Sequence, residues 1–142
     1  MEIVQRSIAL EPLERGIHCI TARIAEQLPE IARFRAGLLH LFLQHTSAAL
    51  SLGENTDPDV RSDLAEHLDR LVPDDLRLYR HALEGADDAS SHIKSALIGT
   101  SLLIPIRDGA MALGRWQGIY LCEFRDRPSR RTLVATIIGT ER

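Results

Sequence analysis

Cysteine is scarce in this chain. Cys19 and Cys122 are the only two among 142 residues, and they form neither a CxxC pair nor a disulfide framework. A domain of this length can bury a sizeable hydrophobic core without covalent staples. Both cysteines therefore read as small buried hydrophobes with free thiols in a reducing compartment. A basic excess is missing too. The formal net charge of -3 argues against a general nucleic-acid or anionic-membrane binder, since both rest on positive charge. No apolar run approaches the ~20 residues of a membrane span. The opening stretch MEIVQRSIALEPLERG carries acids early and has no continuous apolar segment, so it does not read as a signal peptide. The expectation is a cytoplasmic protein with no nucleic-acid or membrane partner.

Several familiar signatures are also absent: GxGxxG after a strand, GxxxxGK(S/T), GxSxG and HExxH. Readings that depend on those phosphate cradles, nucleophile elbows or zinc helices lose their support. What is present, 44% hydrophobic and 26% charged residues, fits one globular domain over residues 1–142.

Val4–Leu10 alternates loosely and reads as a strand, followed by a short strand at Ile17–Thr21 and a helical turn or two over Ala22–Leu28, stopped by Pro29. Gly37 opens the strongest strand. Leu39, Leu41, Leu43 and His45 share one face, and Leu38, His40, Phe42 and Gln44 the other. Ala48–Leu52 continues extended after a bend. Thr56 or Asp57 then caps a helix with Pro58 in its first turn, Val60, Leu64, Leu68 and Leu71 as its apolar stripe, and Pro73 as its stop. Residues 73–86 read as a loop, and Ser90–Leu97 as a second helix ended by Gly99.

The last third is β-rich. Ser101–Arg107 and Ala110–Leu113 flank Asp108-Gly109, a strong hairpin dipeptide, with Pro105 implying an edge or a bulge. Gln117–Phe124 and Thr132–Ile138 complete the set. Neighbouring strands with inserted helices predict an α+β fold, a single compact domain with a mostly antiparallel β-sheet or sandwich and two or three helices. The final strand is apolar on both faces, Leu133, Ala135 and Ile137 against Val134 and Ile138. Either subunit contact or a second sheet would cover the extra face.

Few residues stand out chemically. His45 ends an apolar strand face and reads either as a core histidine or as a ligand. His81 in the loop and His92 near the second helix start are surface or capping residues unless the fold brings all three together. Glu123 shares parity with Gln117, Ile119 and Leu121. A carboxylate there needs a cation, a metal or donors unless it lies in water at the strand end. Asp87 and Asp88 stabilise a helix N-terminus by themselves and would repel a phosphate unless a cation bridged them. Trp116, the only tryptophan, either packs or lines a pocket for a planar ring.

Taken together, GLLHLFLQHTSAALSLGEN, DPDVRSDL, YRHALEGADDASSHIKSALIGTS and MALGRWQGIYLCEF, in that order, resemble the YjbQ-like family from about Arg6 to Gly139. One departure is Arg115, where the family usually has threonine before the tryptophan. The resemblance implies an α+β fold with an antiparallel core, a homotrimer, and thiamine-phosphate synthase as a secondary activity. In that activity a pyrimidine diphosphate and a thiazole phosphate are joined with release of pyrophosphate. It implies a site at His45, His81 and His92 that holds a divalent metal, zinc or magnesium, with His45, Glu123, Asp57 and Asn55 as the catalytic set. Lys94, Arg107, Trp116 and Gln117 are then the substrate-binding set, for a small phosphorylated or heterocyclic molecule. The competing reading is a non-catalytic metal- or small-ligand-binding trimer whose synthase activity is incidental.

Overall fold

In the computed structural model, which describes residues 1–142, the chain runs β1 (Glu2–Leu10), β2 (Gly16–Cys19), α1 (Thr21–Gln27), β3 (Phe34–Leu43), β4 (Ala48–Glu54), α2 (Pro58–Leu71), α3 (Asp88–Ile98), β5 (Ser101–Arg107), β6 (Ala110–Met111), β7 (Gln117–Glu123) and β8 (Arg131–Glu141). All strand pairings are antiparallel. They make a five-stranded sheet in the order β1-β8-β3-β5-β6 and a three-stranded sheet in the order β2-β7-β4. The alternation of β3 turns Leu39, Leu41 and Leu43 inward beside Ile8, Ile104, Leu133 and Ile137. Facing them from the small sheet are Leu50, Ile119 and Leu121, and all are buried in one core. The opposite face of the small sheet presents Ala49, Tyr120 and Cys122, which pack with Leu68 of α2. Two sheets and a helical layer result, the expected α+β sandwich.

Local chemistry explains the ends of the elements. Asp108 and Gly109 both take positive φ, 49° and 80°, as a two-residue hairpin turn requires. Asp57 accepts the Asp59 N–H at 2.9 Å, and Pro58 opens α2. Gly99, at φ 106°, stops α3 in a region that side chains avoid. Beyond Ile106 and Arg107 nothing pairs with β5 on its outer side. Most of β5 is therefore an edge, where Pro105 is tolerated. Both cysteines are free, and burial pushes the Cys122 thiol up to about 12.

Some expectations change. β3 begins at Phe34, ahead of Gly37, and α3 begins at Asp88, ahead of Ser90. Of the α2 stripe only Leu68 is buried, while Val60 and Leu71 are exposed. The reason is that α2 packs mainly beside the short strand β2 and leaves part of its apolar side uncovered. The loop after α2 is also more ordered than its composition implies. A 3-10 turn at Leu76–Leu78 is capped by Asp75, and the Tyr79 hydroxyl donates to the Pro73 carbonyl at 2.6 Å.

The outer face of the five-stranded sheet has no covering layer. Ile3, Ile138 and Leu38 lie in register across β1, β8 and β3, and with Phe42 and Leu103 they are exposed. The two apolar faces of the last strand are thus real: one is core and the other is open.

Candidate metal centre

Asp88 and His92 sit one turn apart at the start of α3, so the helical period puts them on one face. The pinned loop brings His81 to the same place. Asp88 Oδ2 meets His81 Nε2 and lies 3.1 Å from His92 Nε2. The ligand-type atoms of the three residues all fall within 4.8 Å of one another. The Asp88 side chain is only 6% exposed, whereas that of His81 is 51% exposed, so the cluster has a buried floor and an open side.

The surroundings fix each group. The Arg125 guanidinium donates to Asp88 Oδ1 and pairs with Asp87 at 3.3 Å. Burial raises the Asp88 carboxyl, but the hydrogen bond from His81 and the charges of His92 and Arg125 outweigh it and hold it below the usual carboxylate range. His92 Nδ1 lies 2.7 Å from the Thr46 carbonyl. A carbonyl only accepts, so Nδ1 carries a proton, and Nε2 is the nitrogen turned toward Asp88. Metal-ligating histidines are oriented in this way, with the outer nitrogen donating to a carbonyl.

His45 is not a member of this cluster. Its Nε2 accepts the Thr132 N–H at 2.8 Å, which occupies the lone pair and leaves Nδ1 as the protonated nitrogen. Burial first, then the nearby Arg131 charge, lowers its pKa and favours the neutral ring. His45 does share a cavity of about 500 Å³ with His92, along with Phe42, Gln44, Thr46, Ser95 and Thr100. The fold therefore joins two of the three expected histidines directly and sets the third across a common pocket.

The other expected residues scatter. Glu123 is 1% exposed, and Arg131 holds both of its oxygens, Nε to Oε1 at 2.7 Å and Nη2 to Oε2 at 2.5 Å. It is a buried ion pair with no oxygen left for acid/base work. Lys94 is fully buried, donating to Asp69 at 2.5 Å and lying 5.3 Å from the Phe124 ring centroid, so it is not available to a substrate.

Asn55, Asp57, Trp116 and Gln117 gather at the opposite end of β7. There Asn55 donates to the Arg115 and Gln117 carbonyls, and Arg115 lies over the exposed Trp116 ring at 4.9 Å. Seven residues of strand span roughly 20 Å, which separates this end from Glu123 and the residues around it. Arg107 likewise ends β5 away from Ser101, the residue that pairs with Phe42 near the histidine pocket. Sequence reasoning missed Asp88 as a ligand, Arg125 as its anchor and the Thr46 carbonyl as the partner of His92. Only the first left a signal, the Asp-x-x-x-His spacing on a helix.

Residues 6–140 match the family described as UPF0047 protein YjbQ-like. The chain is 49% identical to the UPF0047 protein YjbQ of Salmonella typhimurium, over 95% of this chain and 97% of that one. The UPF0047 protein YjbQ of Escherichia coli O157:H7 is 47% identical over the same shares. Among solved structures, an uncharacterized conserved protein of the YjbQ/UPF0047 family from Clostridium acetobutylicum superposes with a TM-score of 0.81 at 34% identity, covering 94% of this chain and 99% of that one. A YbjQ-like protein of unknown function from Sulfolobus solfataricus shares the fold, with a TM-score of 0.84 at 21% identity over 97% and 98% of the two chains.

Proposed function

The chain belongs to the UPF0047 YjbQ-like family, and we propose that it holds a zinc-type divalent ion at His81, Asp88 and His92, with a small phosphorylated or heterocyclic substrate beside it. The observation that carries this reading is the Thr46 carbonyl on His92 Nδ1, which leaves Nε2 facing the Asp88 carboxylate. Two imidazoles and a carboxylate are a sufficient ligand set for zinc with a position left open. Nitrogen donors also speak against magnesium, which prefers oxygen.

An ion bound there supplies Lewis-acid stabilisation of developing negative charge. The chain supplies the rest. Arg125 holds Asp88 ionised and oriented, Thr46 sets the tautomer of His92, and the His45 side chain lines the adjoining pocket. The reaction in keeping with the family resemblance is thiamine-phosphate synthesis, in which the thiazole nitrogen displaces pyrophosphate from the pyrimidine methylene. Lys94 and Arg107 have no part in this version, one buried on Asp69 and the other at the far end of β5. Arg80 is the exposed cation nearest in sequence to the cluster, and it lines a cavity of about 410 Å³ with His81 and His92.

Metal analysis of protein purified without a chelating tag tests the proposal. The expected result is one zinc per chain, with pyrophosphate release from the two phosphorylated substrates lost on chelation and restored by zinc. Metal-free protein that releases pyrophosphate at the same rate would end the metal reading. Bound zinc with no pyrophosphate release would favour the second reading, a non-catalytic metal-binding trimer. That reading draws on the absence of a ready diphosphate cradle, since Lys94 is already paired.

A homotrimer is part of both readings. The open sheet face carries Ile3, Leu38, Phe42, Leu103 and Ile138, and a second, unlike patch carries Leu78 and Ile93, with Leu97 one turn further along α3. Two different apolar patches suit a head-to-tail contact that closes into a ring. Light scattering at micromolar protein should therefore give three times the 15.9 kDa chain mass. A monomer mass would sink the assembly.

A further inference from the structure

The cavity that His45 shares with His92 is lined by Phe42, Leu43, Gln44, His45, Thr46 and, from α3 and its end, His92, Ser95, Ala96, Gly99 and Thr100. Not one of these is Asp, Glu, Lys or Arg, although such residues make up 26% of the chain. At about 500 Å³ the space matches a small-molecule site. Its polarity comes from hydroxyls, one amide and two imidazoles. A formally charged group placed there would lose hydration and gain no counter-ion from the walls.

The His45 ring defines what the pocket can recognise. With Nε2 committed to the Thr132 N–H at 2.8 Å, Nδ1 bears the proton, and no protein acceptor meets it. Its environment favours the neutral ring over imidazolium. A ring that lines the pocket thus carries an uncharged N–H donor, with His92 and the apolar Phe42 and Ala96 among the other lining residues.

We propose that this cavity binds an uncharged nitrogen heterocycle, with the His45 Nδ1–H donated to a ring-nitrogen or carbonyl acceptor and the ring lying against Phe42 and Ala96. This deepens the reading given above, on which it rests for the neighbouring metal: the heterocyclic part of the substrate occupies this pocket, and any phosphate lies outside it. It also gives His45 a role as a donor to substrate, in place of the ligand role expected from the sequence.

The test titrates 4-aminopyrimidine into ring-nitrogen-labelled protein, both zinc-loaded and chelator-treated, and follows the His45 resonances by NMR. A saturable shift of His45 Nδ1 at millimolar probe is expected in both preparations. Permanently charged N-methylpyridinium and inorganic pyrophosphate should produce none. Ala96→Phe, an exposed position that fills the cavity without altering either imidazole, should abolish the shift. His45→Ala should weaken probe binding by roughly tenfold, the scale of one lost hydrogen bond, and His45→Asn, which returns an N–H near the Nδ1 position, should recover most of it. An unperturbed His45, or an equal response to the charged ring or to pyrophosphate, would overturn the proposal even in protein that binds zinc. A normal probe response in protein that binds no zinc would refute the metal reading alone.

Discussion

Replacing Glu123 by alanine is expected to destabilise the protein by about 3–5 kcal/mol, the cost of leaving one charge of a buried pair uncompensated. For a domain of this size the melting temperature should fall by roughly 10–20 °C. Glu123 is 1% exposed and Arg131 is 4% exposed. The bond between them closes one end of the sandwich, because Glu123 shares the inward face of β7 with Ile119 and Leu121. Arg131 also donates to the Ser47 carbonyl at 3.3 Å, so the orphaned guanidinium would disturb the bend that carries His45 and Thr46. The double variant Glu123→Met/Arg131→Met removes both charges and should recover most of the loss, as apolar replacement of a complete pair often does. Thermal unfolding followed by circular dichroism decides the matter. A Glu123→Ala protein of native stability that has lost only activity would instead make Glu123 a chemical group.

Loss of a cluster side chain should act on metal affinity more than on folding. For His81→Ala, Asp88→Ala and His92→Ala, zinc binding should fall by more than the roughly 10–100-fold that losing an outer hydrogen-bond partner causes. His45→Ala should leave it near the native value, since Nε2 of that ring is spent on Thr132. Competition against a chromophoric chelator measures both, and circular dichroism checks that each variant is folded. Acidification should weaken zinc binding in the native protein, because protons compete with the ion for imidazole nitrogen. Equal loss in His45→Ala and His92→Ala would restore the three-histidine site expected from the sequence.

The sandwich was legible wherever a local pattern had one meaning. Period-two alternation marked β3, Asp-Gly marked the β5–β6 turn, and Asp57-Pro58 marked the start of α2. For Glu123 the sequence left two alternatives, a buried and partnered carboxylate or one in water at the strand end, and the structure shows the first. Its partner was not legible, since Arg131 reaches it from a strand of the other sheet. The site was legible in part. The Asp88–His92 spacing was there to be read, but a helix that begins with two acids also explains itself through its dipole. His45 stands apart from the cluster for a different reason. Which ring nitrogen is free depends on a backbone N–H 87 residues away, and no pattern along the chain records that.

The separation of the two ends of β7 has a spectroscopic consequence. The single indole, Trp116, is 58% exposed and lies beside Arg115, about a strand's length from the imidazole cluster. Its emission therefore belongs to the end of the molecule that the proposed chemistry does not touch. Ligand titrations read by intrinsic fluorescence would be nearly silent, whereas unfolding, which dismantles β7 as a whole, would register in full. Arg115, whose guanidinium lies 4.9 Å from the Trp116 ring centroid, is the neighbour placed to influence that signal without entering the site.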